Sequence, residues 1–200
     1  MKIKALVLMT AFAIPTIAMA NDATTKKSGT AGITDKTKGD TTKLEAEDLK
    51  IVAHMNHVNM MEIDMGKLAQ RQGSASVKKY GATLVKDHTA AGKQLKALAK
   101  KKGITAIPED VPAIDAEKTE HDNAMAAMTR IKALKGAEFD REFLTMMIAD
   151  HDKEVARADM AIAMVKDPDV ATFLKTNRPV LQRHADQARQ LTKGSEVSRK

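Results

Sequence analysis

The chain has 200 residues, 43% of them hydrophobic and only 2% aromatic, with no cysteine, no tryptophan, thirteen methionines and a formal net charge of +7. The missing cysteines exclude a disulfide framework, a thiolate metal site and a thiol nucleophile, and the shortage of aromatic and β-branched runs argues against a barrel or sandwich. Beyond the first twenty residues nothing approaches eighteen consecutive apolar residues, so the mature chain should carry no spanning helix, and the fold class to expect is all-α.

The N-terminus reads as an address. Two lysines within Met1–Lys4, an apolar run over Ala5–Ala18 and small residues at Ala18 and Ala20 make the three-part layout of a secretory signal peptide, residues 1–20. Cleavage near Ala20 would remove Lys2 and Lys4 and take the formal charge from +7 to +5. No cysteine follows to carry a lipid. The expected location is an oxidising compartment, most simply a bacterial periplasm, with outer-membrane association as a variant. Residues 21–43 are Thr, Lys, Gly, Asp and Ser with hardly an apolar side chain. Such a segment cannot offset its ordering entropy and should be a flexible linker.

An ordered domain is expected over 44–192. Thr42-x-x-Glu45 reads as a capping box opening a helix that runs to about Gln72. Gln72-Gly73-Ser74 is a short connection with Ser74 as N-cap, and a second helix follows to Lys100-Lys101-Lys102-Gly103. Pro108 and Pro112 mark a loop before a less regular helix to Lys135. Gly136 precedes a helix over about Ala137–Lys166, and Asp167-Pro168-Asp169 turns into a last helix to about Leu191, with a bend expected at Pro179. Residues 193–200 read as a disordered tail. Two tight hairpins joined by a long, partly helical crossover are the ferritin-like way to build a four-helix bundle. A plain up-and-down bundle with the middle helix as a fifth member is the alternative.

At about 100° per residue, several ionisable groups fall inside the apolar stripes. Glu62 lies among Ile51, Met55, Val58, Met65 and Ala69, and His88 among Val77, Gly81, Leu84, Ala91 and Leu95. His151 and Glu154 share the stripe of Phe143, Met147, Ala158 and Val165, with Asp140 on the same side, and His184 sits with Asn177 among Val170, Leu174, Leu181 and Ala188. Counted from the Gly73–Ser74 turn, Glu62 is 11.5 residues before and His88 14.5 after; counted from Asp167–Pro168, Glu154 and His151 are 13.5 and 16.5 before and His184 is 16.5 after. If the hairpins pack with matching ends, Glu62, His88, His151, Glu154 and His184 meet at mid-bundle. Carboxylates and imidazoles suit Fe, Mn, Zn or Cu, and bundles place metal sites on facing helices in this way. A buried Glu–His network without metal is the competing reading, because buried polar groups need partners of some kind.

The same positions carry a family resemblance. Glu62 in EIDMGKLA, Asp87-His88 in VKDHTAAGKQLKALAKKKG, the run GAEFDREFL, Asp150-His151 in MIADHDKEV, and Pro179 with His184 in RPVLQRHADQA together resemble the bacterial domain-of-unknown-function 4142 family over about Asp48–Leu191. The resemblance implies an exported ferritin-like bundle; members are often labelled outer-membrane proteins, and the family has no established activity. The ferritin-like di-iron pattern is incomplete. Val85 and Leu181 stand where Glu-x-x-His would need acids, and the third long helix has the reversed His151-x-x-Glu154. A mononuclear site fits better, or a modified dinuclear one recruiting Asp140, with Asp87 and Asp150 as further possible ligands.

His54, Met55, His57, Met60, Met61 and Met65 crowd one helix, and thioether with imidazole favours Cu(I). His54, His57, Met60, Met61 and Met65 are therefore an alternative copper site, weighed against methionine's use as adaptable core filler. His121 reads as surface or packing. The basic linker and Lys100–Lys102 suggest at most weak contact with an anionic envelope surface. Nucleic acid is not an expected partner, and no Gly-x-Ser-x-Gly or His-Glu-x-x-His points to a hydrolase. Nothing in the sequence establishes turnover; a non-enzymatic envelope module, possible partners meeting its outer faces, is the other class to keep.

Overall fold

The computed structural model describes residues 43–112 and 114–197, so the leader-like segment, Thr42 and nearly all of the linker lie outside the described residues. Five helices follow one another: α1 (Ala46–Gln72), α2 (Ala75–Lys101), α3 (Asp115–Ala133), α4 (Gly136–Met164) and α5 (Pro168–Val197). There is no strand among the described residues, and no helix there is long and apolar enough to cross a membrane. α1 pairs with α2 and α4 with α5 as hairpins, while α2 packs on α5 and α1 on α4.

Polar contacts fix the direction of each helix. At one end the Ser74 backbone N–H donates to the Asp140 carboxylate at 3.1 Å, which sets the start of α4 beside the α1–α2 turn. At the other end the buried Asp48 carboxylate accepts the N–H groups of Lys166 and Asp167, at 3.2 and 2.8 Å. The buried Lys102 ammonium pairs there with Asp167 and Asp169, at 2.6 and 2.8 Å. The two hairpin turns therefore lie at opposite ends of the bundle, not at matching ends as the depth comparison from the turns assumes. Each of the four long helices runs antiparallel to both of its neighbours. α3 is the crossover that carries the chain back along the bundle. It ends near the top of α1, where Gln72 Nε2 donates to the Lys132 carbonyl at 3.3 Å, and of its residues only Met128 and Ile131 are buried.

The helix ends differ in detail from the sequence expectation. Glu45 itself occupies the N-cap of α1 without a capping bond from its side chain; its carboxylate instead pairs with Lys166 at 2.8 Å. Pro168 opens α5 as a first-turn proline should. The helix continues through Pro179, with Ala188 and Leu191 packed on the core, and on to Val197, past the expected end near Leu191.

Two apolar clusters fill the interior. The upper one centres on Leu68, Tyr80, Leu84, Phe139, Phe143 and Met147, and the lower on Val52, Met55, Leu95, Val170, Phe173 and Leu174. In the upper cluster α1 and α2 approach closely at two glycines. A Cβ on Gly81 would sit 2.6 Å from the Gly66 carbonyl oxygen, and one on Gly66 would sit 2.7 Å from that of Gly81. Backbone cannot yield as a side-chain tip can. Gly81→Ala is therefore expected to destabilise by about 1–3 kcal/mol of overpacking, outweighing the roughly 1 kcal/mol that alanine gains in helix propensity. Gly92→Ala meets only the Asn59 Cβ, at 4.0 Å, and should stabilise instead. Thermal melts of the two variants should move in opposite directions.

Candidate metal centre

Between the two apolar clusters lies a polar layer. His88 on α2, His151 on α4 and His184 on α5 are 2%, 1% and 0% exposed, and one nitrogen of each lies within 4.8 Å of the others. They meet although the turns are at opposite ends because each sits near the middle of a helix 27 to 30 residues long. Reversing a hairpin moves a mid-helix residue by only a turn or so, at about 1.5 Å per residue.

Each ring is oriented by a partner on its outer side. His88 Nδ1 donates to Asn59 Oδ1 at 3.0 Å, His151 Nδ1 to the Met147 carbonyl at 2.9 Å, and His184 Nε2 to Asp87 Oδ2 at 3.1 Å. Asp87 is held in turn by Arg183 at 2.9 Å, and the Tyr80 hydroxyl donates to the His184 carbonyl at 3.1 Å. All three outer partners are acceptors, so the ring protons point outward and three lone pairs point inward, on His88 Nε2, His151 Nε2 and His184 Nδ1. Two of these, on His151 and His184, stand 3.3 Å apart, and His88 Nε2 is buried with no partner. Burial pushes His88 down to about 3, helped by His184 and His151. It likewise pushes His184 down to about 4 against the opposing pull of Asp87, and lowers His151. All three rings are neutral at neutral pH.

The two expected glutamates separate. Glu62 stays beside the trio, with Oε1 3.8 Å from His151 Nδ1. That is beyond hydrogen-bond reach, and His151 is uncharged, so there is no ion pair. Glu62 Oε2 has no partner at all; burial, and then the Glu154 charge, raise its carboxyl to about 8. Glu154 turns to the outer side of α1, where it accepts from His54 Nε2 at 2.9 Å and from Arg157 at 2.9 Å. Its pKa is lowered: His54 and Arg157 outweigh the burial that would raise it. His54 Nδ1 reaches Asp110 in the crossover at 2.8 Å. Burial opposes the imidazolium, but the two carboxylates together raise its pKa.

Of the further candidates, Asp87 orients His184, and Asp140 serves the α2 start at Ser74. Asp150 is raised to about 6 by burial and then by Glu62. In the methionine-rich part of α1, Met65 belongs to the upper core, Met60 is 60% exposed, and His57 faces His121 of α3, ring centroids 6.0 Å apart. Asn59 and the Met147 carbonyl were not among the sequence candidates. Asn59 had a signal, since it stands four residues after Met55 and three before Glu62 on the same stripe. A main-chain carbonyl has none.

The fold and the site thus define a helical bundle built around a buried trio of oriented imidazoles. The chain belongs to the family described as domain of unknown function (DUF4142), whose model matches residues 34–191. No curated protein sequence matches it. The fold is shared with a solved structure described as "CopM in the Cu(I)-bound form", at a TM-score of 0.58 and 18% identity, over 74% of this chain and 96% of that one. At that identity the likeness concerns the fold alone.

Proposed function

We propose that the chain binds one transition metal ion, copper first among the candidates, through His88 Nε2, His151 Nε2 and His184 Nδ1. The observation that carries this reading is the convergence of three buried imidazoles, each with an acceptor on its outer side that draws the ring proton away from the shared centre. Lone pairs facing one another repel, and buried polar atoms without partners are costly; a cation relieves both. A metal-free network would put a donor between the inner nitrogens, and each ring proton is instead committed outward. The outer partners Asn59, Met147 and Asp87 are the oriented support that ligating histidines usually have.

Imidazole suits Zn, Cu, Fe and Ni. Copper is favoured because three neutral donors in a buried layer leave least charge uncompensated around a monovalent ion, and because the CopM structure of like fold is a Cu(I)-bound one. Glu62, when ionised, would balance that single charge from beside His151. Bound metal would supply a Lewis-acidic or one-electron centre; the protein's part is to hold and orient the rings and keep bulk water out. Export, predicted from residues 1–20, would place this bundle where metal is captured outside the cytoplasm. Cu(I)-reconstituted protein passed over a chelator resin should retain one copper per chain by elemental analysis, and His88→Ala/His184→Ala protein none. Equal retention in the two proteins, whether one or none, would refute the assignment. Repeating the loading with Zn, Fe and Mn ranks the metals.

A further inference from the structure

We propose that His57 and His121, with Met61 and Met125, form a second, surface site for Cu(I). The proposal shares with the preceding section the reading of the chain as a copper-binding protein, but it uses none of the core residues.

His57 of α1 and His121 of α3 face each other with ring centroids 6.0 Å apart and planes tilted by 44°. Both are half-buried. Among the described residues neither ring has a hydrogen bond to another side chain or to the backbone, in contrast to the core rings and to His54. α1 and α3 run in the same direction, since the end of α3 at Lys132 meets the end of α1 at Gln72. Residues four positions on from a facing pair therefore share its faces one turn further along. Those residues are Met61 on α1 and Met125 on α3. Met125 is 40% exposed, so its thioether is not serving as core filler, and Met61 is only partly buried at the edge of the upper cluster.

Two imidazoles and two thioethers are a neutral, soft set that suits Cu(I), while a hard cation gains nothing from sulfur. The alternative copper set expected from α1 alone is thereby sorted. His54 is held by Asp110 and Glu154, Met65 is core, and Met60 is exposed beside Asn56. His57 and Met61 remain, and α3 supplies the other half. His121 is half-buried and Met125 exposed, so this side of α3 is accessible to an ion at the α1 seam. An exposed site of this kind exchanges metal readily, whereas the core trio retains it.

The test counts Cu(I) at equilibrium against a chromogenic Cu(I) chelator, without a resin wash. Wild-type protein should bind two Cu(I) per chain and His57→Ala/His121→Ala protein one. Met61→Leu/Met125→Leu, which conserves volume, should weaken the second Cu(I) at least tenfold. X-ray absorption of the two-copper wild type should show copper–sulfur scattering, absent from the Leu variant. A histidine variant that binds as many Cu(I) as wild type, or unchanged affinity in the leucine variant, would overturn the proposal. Failure of the core assignment looks different: equal retention on the resin by wild type and His88→Ala/His184→Ala protein, with the loss of one Cu(I) in His57→Ala/His121→Ala protein unaltered.

Discussion

One equivalent of Cu(I) is expected to raise the melting temperature of the wild-type protein by roughly 5–10 °C and to move His88→Ala/His184→Ala protein far less, since only the weaker surface site remains there. A ligand that binds only the fold stabilises by about 2.7 kcal/mol at a hundredfold excess over its Kd, and in a domain of this size each kcal/mol moves the midpoint by about 2–4 °C. The unfolded chain is a poor competitor because the three donors come from α2, α4 and α5 and meet only when both hairpins are docked. The double variant also loses the donors to Asn59 and Asp87, so its metal-free midpoint should start lower. The shift on adding copper, not the starting point, is the diagnostic quantity. Scanning calorimetry with and without copper reads it, and an equal shift in both proteins would place the binding elsewhere.

Glu62→Gln should stabilise the metal-free protein increasingly as pH rises from about 4.5 to 8, by on the order of 4 kcal/mol at the upper end. The sign follows from where the proton is held. In the fold Glu62 keeps its proton up to about 8, while the unfolded chain releases it near the ordinary glutamate value. Between the two the native state binds more protons, so raising the pH favours unfolding; Gln has no proton to lose and keeps the shape. The three core histidines run the other way. Their lowered pKa values mean that the unfolded chain takes up protons the fold refuses, so acid below about 6.5 destabilises. Comparing wild type with the variant at each pH cancels that contribution and isolates Glu62. Denaturant melts from pH 4 to 9 give the difference; a gap that does not widen with pH would mean that Glu62 is ionised in the fold.

The helical periodicity made the all-α class and the four long helices legible, since the stripes through Leu84, Phe143 and Leu174 could belong to nothing else. The buried histidines were legible for the same reason: an imidazole in the centre of such a stripe has nowhere to go but inward. The direction of the second hairpin was not. It is set by Asp140 at Ser74 and by Asp48 and Lys102 at the α4–α5 turn, long-range pairs with no periodic signature. The fate of Glu154 was hidden similarly, because its stripe position is shared by the trio and by the α1 seam where His54 and Arg157 compete for it. Side-chain angle alone does not choose between two polar neighbours on adjoining faces.

A crystal structure of copper-loaded protein, with anomalous scattering recorded on both sides of the copper edge, would locate the ion itself. A copper peak is expected in the polar layer, coordinated by His88 Nε2, His151 Nε2 and His184 Nδ1, with Asn59, Asp87 and the Met147 carbonyl still holding the far side of each ring. A loaded crystal with no peak among those three nitrogens would contradict it.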